Sequence, residues 1–149
     1  MATFPTDMVQ TDSAPRLRLV ITRAARLLRQ SVDADTGLSS SLLSALASVD
    51  RVGPVTLGDL AATERVQPPS MTRLVTQLEH RGLVLRIIDE HDRRVARVEV
   101  TPEGRRLLHR SRTRKNAFLA QWLKSLTVEE MAALDAALPI LERLAGQGR

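Results

Sequence analysis

The chain has no cysteine and no tyrosine, and only two phenylalanines and one tryptophan among its 149 residues. Without thiols, disulfides, thiolate-bound zinc and thiol redox sensing are excluded. So few rings leave little for stacking on single-stranded bases, and the core must be built from Leu, Val and Ala. No apolar run approaches the ~20 residues that a membrane helix needs. The N-terminus lacks a basic-then-apolar leader, which implies a soluble, cytoplasmic protein that does not use a membrane. A Gly-rich phosphate loop, a nucleophile elbow and a metalloprotease motif are all missing, so no enzyme is expected. The histidines His80, His91 and His109 show no i, i+4 pairing, and neither a metal site nor a cofactor is expected. Asp89, Glu90 and Asp92 cluster on a charged loop and do not form a catalytic dyad.

What is present is a hydrophobic fraction of 43%, enough for a globular fold rather than a disordered one. The net charge is +5. Its distribution says more than its size. Residues 1–64 carry 6 Lys/Arg against 7 Asp/Glu, residues 65–115 carry 13 against 6, and residues 116–149 carry 3 against 4. A basic field confined to the middle of the chain favours a polyanionic partner, with a merely solubilising surface as the bland alternative.

Within that basic segment, Met71, Leu74, Val75 and Leu78 follow i, i+3, i+4, i+7 spacing and predict a helix over 68–81. Pro68 and Pro69 suit its first turn, where backbone N–H groups have no intrahelical partner. Gly82 suits a left-handed stop. The side opposite the stripe carries Pro69, Arg73, Thr76 and His80, flanked by Ser70, Thr72 and Gln77, and has no acid. One apolar side and one donor-rich, acid-free side suit entry into a DNA major groove. An ordinary amphipathic surface helix is the other reading.

The neighbours of this helix sharpen the choice. Residues 1–14 read as a disordered tail. Ser13 and Pro15 then start a helix with Leu17, Val20, Ile21, Ala24, Leu27 and Leu28 in register. A second helix begins at Ser39, and Val52-Gly53-Pro54 breaks it. Val55 is a very short strand, and Thr56 caps a short helix, Leu57 to Thr63. A tight turn then leads to the 68–81 helix, giving a helix-turn-helix. After Gly82 the pattern changes to strand alternation, over Leu83–Ile88 and again over Val95–Val100, with a charged tip between them. A hairpin in this place is a wing, spanning 84–100. Thr101-Pro102-Glu103 starts a helix to about Ser125, and Thr127 to Glu130 is a capping box. The last helix carries Met131, Leu134, Leu138, Leu141 and Leu144, and Pro139 should kink or split it near Ala136.

The order helix, helix, helix-turn-helix, wing, helix, helix now stands beside specific motifs. These are L-x-D-L-A before the turn, S-M-T-R-L-V-T-Q-L-E-H-R-G-L-V in the reader, D-E-H-D-R-R at the wing and V-T-P-E-G after it. In this combination the chain resembles the multiple-antibiotic-resistance regulator (MarR) family over about Leu17 to Ala145. The resemblance implies a mainly α fold with a small β wing. Residues 38–101 would form a winged helix-turn-helix, and 15–36 with 102–149 would form interlocking dimerisation helices. It also implies a homodimeric transcriptional regulator, often a repressor. Such a protein binds double-stranded DNA at a near-palindromic promoter site and releases it to a small, often phenolic or anionic, effector. The absent cysteine excludes the peroxide-sensing branch. Long Leu-rich stripes at both chain ends argue for a dimer independently, because a monomer of this size could not cover them. Two-fold symmetry would set the readers ~34 Å apart.

The expected DNA contacts follow from side-chain chemistry. Arg73 is the main base reader, bidentate to guanine, with a phosphate contact as the alternative. Thr76 and Gln77 are secondary readers. Ser70 and Thr72 hold phosphate near the helix N-terminus, and Pro69 touches a thymine methyl or merely starts the helix. Arg93 at the wing tip reaches a minor groove or phosphate, with Arg94 beside it. Asp92 cannot bind phosphate and is expected to orient Arg94 by a charge-assisted hydrogen bond. Arg86 and Arg97 are read as solvated. Two other functions stay open: a winged-helix module for an acidic protein partner, and a nonspecific architectural DNA binder. The residues that hold an effector cannot be read from the sequence.

Overall fold

A computed structural model of the chain describes residues 6–89, 92 and 95–146, the side chains of 6–12 and 31–35 excepted. Six helices and three strands follow in order: α1 Thr6–Thr36, α2 Ser40–Val52, β1 Val55–Thr56, α3 Leu57–Glu64, α4 Pro68–His80, β2 Val84–Ile88, β3 Ala96–Val100, α5 Pro102–Leu123 and α6 Val128–Gly146.

The middle of the chain builds its own core. Leu42, Leu46 and Val49 of α2, Leu60 of α3, and Met71, Val75 and Leu78 of α4 meet Val84 and Val98 of the sheet in one buried cluster. All are aliphatic, as the scarcity of aromatics requires. The sheet has the order β1-β3-β2. Both pairings are antiparallel, with Val55 opposite Val98 and Val84 opposite Val100. The cluster ends at Leu107 and Leu108 in the first half of α5, which ties the wing to the long helix. Gly104 makes this close approach possible. A Cβ there would collide with the Leu83 carbonyl and stand 2.8 Å from the Val100 side chain.

The helix starts follow local chemistry. Ser39 caps α2 by accepting from the Leu42 N–H, Thr56 caps α3 by accepting from Asp59, and Thr101 caps α5 by accepting from Gly104. The capping box forms as well. The Thr127 N–H donates to Glu130 Oε2 at 2.9 Å, and the Glu130 N–H to Thr127 Oγ1 at 3.2 Å. Gly82 adopts φ +68°, the left-handed turn that follows the reader. The reader itself ends at His80, with Arg81 as its C-cap.

Two proline-based expectations are corrected. The first helix does not open at Pro15: α1 starts at Thr6 and Pro15 lies inside it, so residues 6–14 are helical and Ser13 is not a cap. No glycine or other proline between Thr6 and Ala14 stops the helix; Pro15 removes the bond that its own nitrogen would donate and crowds the carbonyl four residues back, yet α1 continues through it. Pro139 likewise lies inside α6, which runs unbroken from Val128 to Gly146 rather than splitting near Ala136. The carbonyl freed by Pro139 belongs to Asp135, an exposed residue that water can satisfy.

The two ends of the chain bury little. α1 packs along α5. Yet Val20 and Ile21 are 62% and 52% exposed, and Val128 and Ile140 of α6 are 82% and 50% exposed. None of the described residues of α6 is buried.

Candidate nucleic-acid interface

α4 turns Met71, Val75 and Leu78 inward at zero exposure and leaves its other side in solvent. Pro69, Ser70, Thr72, Arg73 and Gln77 are exposed, and Thr76 is half-buried. The helix begins without a side-chain cap, since Gln67 makes no capping bond. Pro68 and Pro69 carry no N–H, and the N–H groups of Ser70 and Met71 donate to the Gln67 carbonyl at 2.9 and 3.1 Å, so the outward donors of this first turn are side chains.

Electrostatics single out one side chain. Among the described arginines between residues 65 and 112, most are engaged. Arg81 donates to the Gly37 carbonyl at 2.7 Å, Arg86 pairs with Glu79 and Arg97 with Asp89. Arg105 and Arg112 face Asp50, while Arg106 and Arg110 face Glu103. Arg65 also has a partner. Arg73 has no hydrogen bond or ion pair among the described residues and stands on the exposed face. The basic first half of α5, by contrast, is largely tied to carboxylates of the same chain. Glu103 shows the effect: hydrogen bonds from Arg106 and then Arg110 hold its carboxyl below the ordinary range.

Arg86 does more than the solvated role expected of it. It donates to Thr76 Oγ1 at 3.1 Å and pairs with Glu79 at 3.2 Å, so β2 of the wing is bonded to the reader helix. Glu79 is the one acid of α4, and Arg86 neutralises it. Thr76 accepts from Arg86 and so keeps its own proton for a donor role. Thr72 differs, because its hydroxyl donates back to the Pro68 carbonyl at 3.0 Å. Ser70 and Gln77 have side chains without a partner among the described residues.

At the wing, Asp89 is the organising residue that the sequence reading missed. Its Oδ2 accepts from Arg97 Nε and its Oδ1 from the Asp92 N–H at 3.1 Å, while its own N–H donates to the Val95 carbonyl at 2.9 Å. Arg97 is thus an ion-pair partner and not merely solvated. Arg93 and Arg94 lie outside the described residues, and so does the expected Asp92–Arg94 bond. Strand alternation held the missed signal: a charged residue at 86 or 97 on a small sheet calls for a partner.

Behind the reader, α1, α2 and α5 enclose a crevice of about 270 Å³. Its cationic lining is Arg29, Arg112 and Lys115, and its hydroxyls are Ser40, Ser44 and Ser111, set against Leu43 and Leu108.

A helix with an acid-free face, locked to a β-hairpin on a compact lobe, is a winged helix-turn-helix. The sequence profile of the MarR family matches residues 38–96, the span of that lobe up to the start of β3. An uncharacterized HTH-type transcriptional regulator of Mycobacterium leprae, ML2140, is 36% identical over 138 residues, covering 91% of this chain and 96% of its own. The chain belongs to the MarR family. A solved structure agrees over nearly the whole length. It is a putative transcriptional regulator of Pseudomonas aeruginosa, 34% identical with a TM-score of 0.81, covering 95% of this chain and 98% of that one. The HTH-type transcriptional repressor MdtR of Bacillus subtilis is 30% identical over 95 residues, 64% of this chain and 61% of its own. As a MarR-family protein this chain is a DNA-binding transcriptional regulator and not an enzyme. No helix among the described residues is long and apolar enough to cross a membrane.

Proposed function

We propose that the protein is a homodimeric repressor that reads a near-palindromic promoter site and releases it when a small anionic or phenolic ligand fills the crevice between α1, α2 and α5. The observation that carries this reading is Arg73: a guanidinium without a partner among the described residues, on the outer face of a reader helix whose only acid is neutralised. A free fork of donors at that place suits guanine O6 and N7. Gln77 and Thr76 read adjacent base edges, and Pro69 meets a thymine methyl. Ser70 serves as the phosphate donor at the helix start, and Thr72 joins it only if its hydroxyl turns away from Pro68. Arg93 and Arg94 grip the flanking groove from the wing, and Asp92 orients Arg94.

The dimer is supported by apolar surface that the described residues leave in solvent. Leu17, Val20 and Ile21 on α1 and Leu138, Ile140 and Leu144 on α6 are all exposed, at both ends of the chain. Repression is supported by the similarity to the Bacillus subtilis repressor. The ligand class is supported by Arg29, Lys115 and three hydroxyls that line an otherwise aliphatic crevice, whose third cation, Arg112, is paired with Asp50.

Titration against the DNA upstream of its own gene and a scrambled duplex, at fixed salt, tests the reading. A site-specific regulator prefers its site by ~10³ or more. Equal affinity with a steep salt dependence would instead make it an architectural binder. Indifference to both duplexes would leave a protein-binding module.

A further inference from the structure

The reader helix has no side-chain cap of its own; Pro68 and Pro69 preset its first turn, and where that turn sits depends on the link before it. The turn that leads into it is short. α3 ends at Glu64, Arg65 takes the left-handed conformation at φ 53°, and Gln67 precedes the first turn of α4. Glu64 is anchored from the other side. Ser44 Oγ donates to its Oε2 at 2.6 Å, and Ser48 Oγ donates to its Oε1. Ser48 is one of two buried polar residues among the described ones, and Arg51 donates to its oxygen at 3.2 Å. A guanidinium cannot accept, so the single Ser48 proton is directed to the carboxylate. The last residue before the reader turn is therefore held to α2 by two hydroxyls, each aimed at one carboxylate oxygen.

One of these hydroxyls has a second exposure. Ser44 lines the cationic crevice with Arg29, Arg112 and Lys115, while Ser48 does not. Ser44 and Arg29 also line the adjoining hollow that reaches Glu64, Val66 and Leu74, the last of these on the reader itself. A serine has one proton and can donate it to one acceptor at a time. An anion seated between Arg29 and Lys115 would compete with Glu64 for it.

We infer that Glu64 is a positioning residue for DNA reading. Its clamp to Ser44 and Ser48 sets the start of α4, and an anion in the crevice loosens the reader by taking the Ser44 proton. The first half stands on the clamp alone. The second rests on the ligand-release reading given above.

The test uses the full-length protein and an operator selected from random duplexes by the wild type. Glu64→Gln, Ser48→Ala and Ser44→Ala are compared with Ser44→Thr, which keeps the hydroxyl. The first three should each lose about tenfold in operator affinity, the scale of one charge-assisted hydrogen bond. Ser44→Thr should restore wild-type affinity. Amide exchange at residues 65–70 should quicken in the same three variants while the amides of α2 stay protected, a readout that general destabilisation would not give. Wild-type operator affinity and exchange in Ser44→Ala, Ser48→Ala and their double variant would overturn the clamp.

Salicylate is the probe for the second half, with its binding to the wild type measured by calorimetry. With each protein shown by calorimetry to be saturated, it should weaken wild-type DNA binding and change Ser44→Ala, which has no Ser44 proton to give up, several-fold less. Equal release from both proteins would overturn the proposed route and leave the ligand-release reading intact. If salicylate and benzoate both fail to bind the wild type, the ligand-release reading fails. The clamp is then decided by operator affinity and exchange alone.

Discussion

The lobe formed by α2 to β3 and the helices at the two chain ends follow opposite rules. In the lobe, apolar side chains have gone inside: Leu46, Leu60, Met71, Val75, Leu78 and Val98 have no exposure at all. At the ends, side chains of the same kind remain in solvent, with Leu19 at 43% and Leu144 at 50%. Amphipathic helices occur in both places. The lobe closes on itself because three short helices and a hairpin surround one centre. Two long helices joined to α5 have no such centre, and their stripes stay in solvent, where the proposed dimer would cover them. The same sequence pattern thus gives a finished core in one region and an exposed apolar surface in the other.

This contrast can be broken most directly at α6. Leu138→Glu combined with Leu144→Glu should weaken subunit association by at least ~4 kcal/mol, since two apolar anchors are lost from an interface centre. Sedimentation should then show monomers whose lobe is still folded by amide exchange. An unchanged dimer would place the interface elsewhere. Inside the lobe, Leu46→Ala should cost about 2–5 kcal/mol in urea unfolding, the usual range for a buried leucine cavity. A loss as small as that of an exposed leucine would deny the lobe its own core.

At the junction of the two regions, Gly104→Ala forces a methyl group into the Leu83 carbonyl and should cost about 1–3 kcal/mol. Arg73→Ala should leave unfolding unchanged and cost ~1–3 kcal/mol in operator binding, relaxing one position of each half-site. Affinity lost equally on all duplexes would make Arg73 a phosphate contact. The smallest effect is that of pH at the start of α5. Arg106 and Arg110 lower the Glu103 pKa, so the stability that it contributes is complete above the ordinary carboxylate range and is lost as pH falls through the lowered folded value. Glu103→Gln should remove a slight part of the acid limb of stability, read from thermal midpoints across that range, and should leave the neutral-pH slope alone.

Much of the candidate site was legible because it is local. The stripe Met71, Val75 and Leu78 fixes which side of the reader is buried, and therefore that Arg73, Gln77 and Ser70 face outward. The caps at Thr56, Thr101 and Thr127 were legible too, since a cap acts across three residues. The links Arg86–Thr76, Arg97–Asp89 and Glu64 with Ser44 and Ser48 were not. Their partners are 8 to 20 residues apart, and nothing in a one-dimensional pattern says which arginine meets which acid. The prolines misled for a related reason. A rule about one missing N–H takes no account of the rest of the ladder or of solvent at the freed carbonyl.

The sequence by itself determined the identity of the elements, the polarity of each helix face and the basic, thiol-free character of the middle segment. These depend on spacing and side-chain chemistry, which the order of residues fixes directly. Only the tertiary structure decided which arginines keep their charge available. That depends on distance: six basic side chains of α5 and the wing fold onto carboxylates of their own chain, and Arg73 meets none among the described residues.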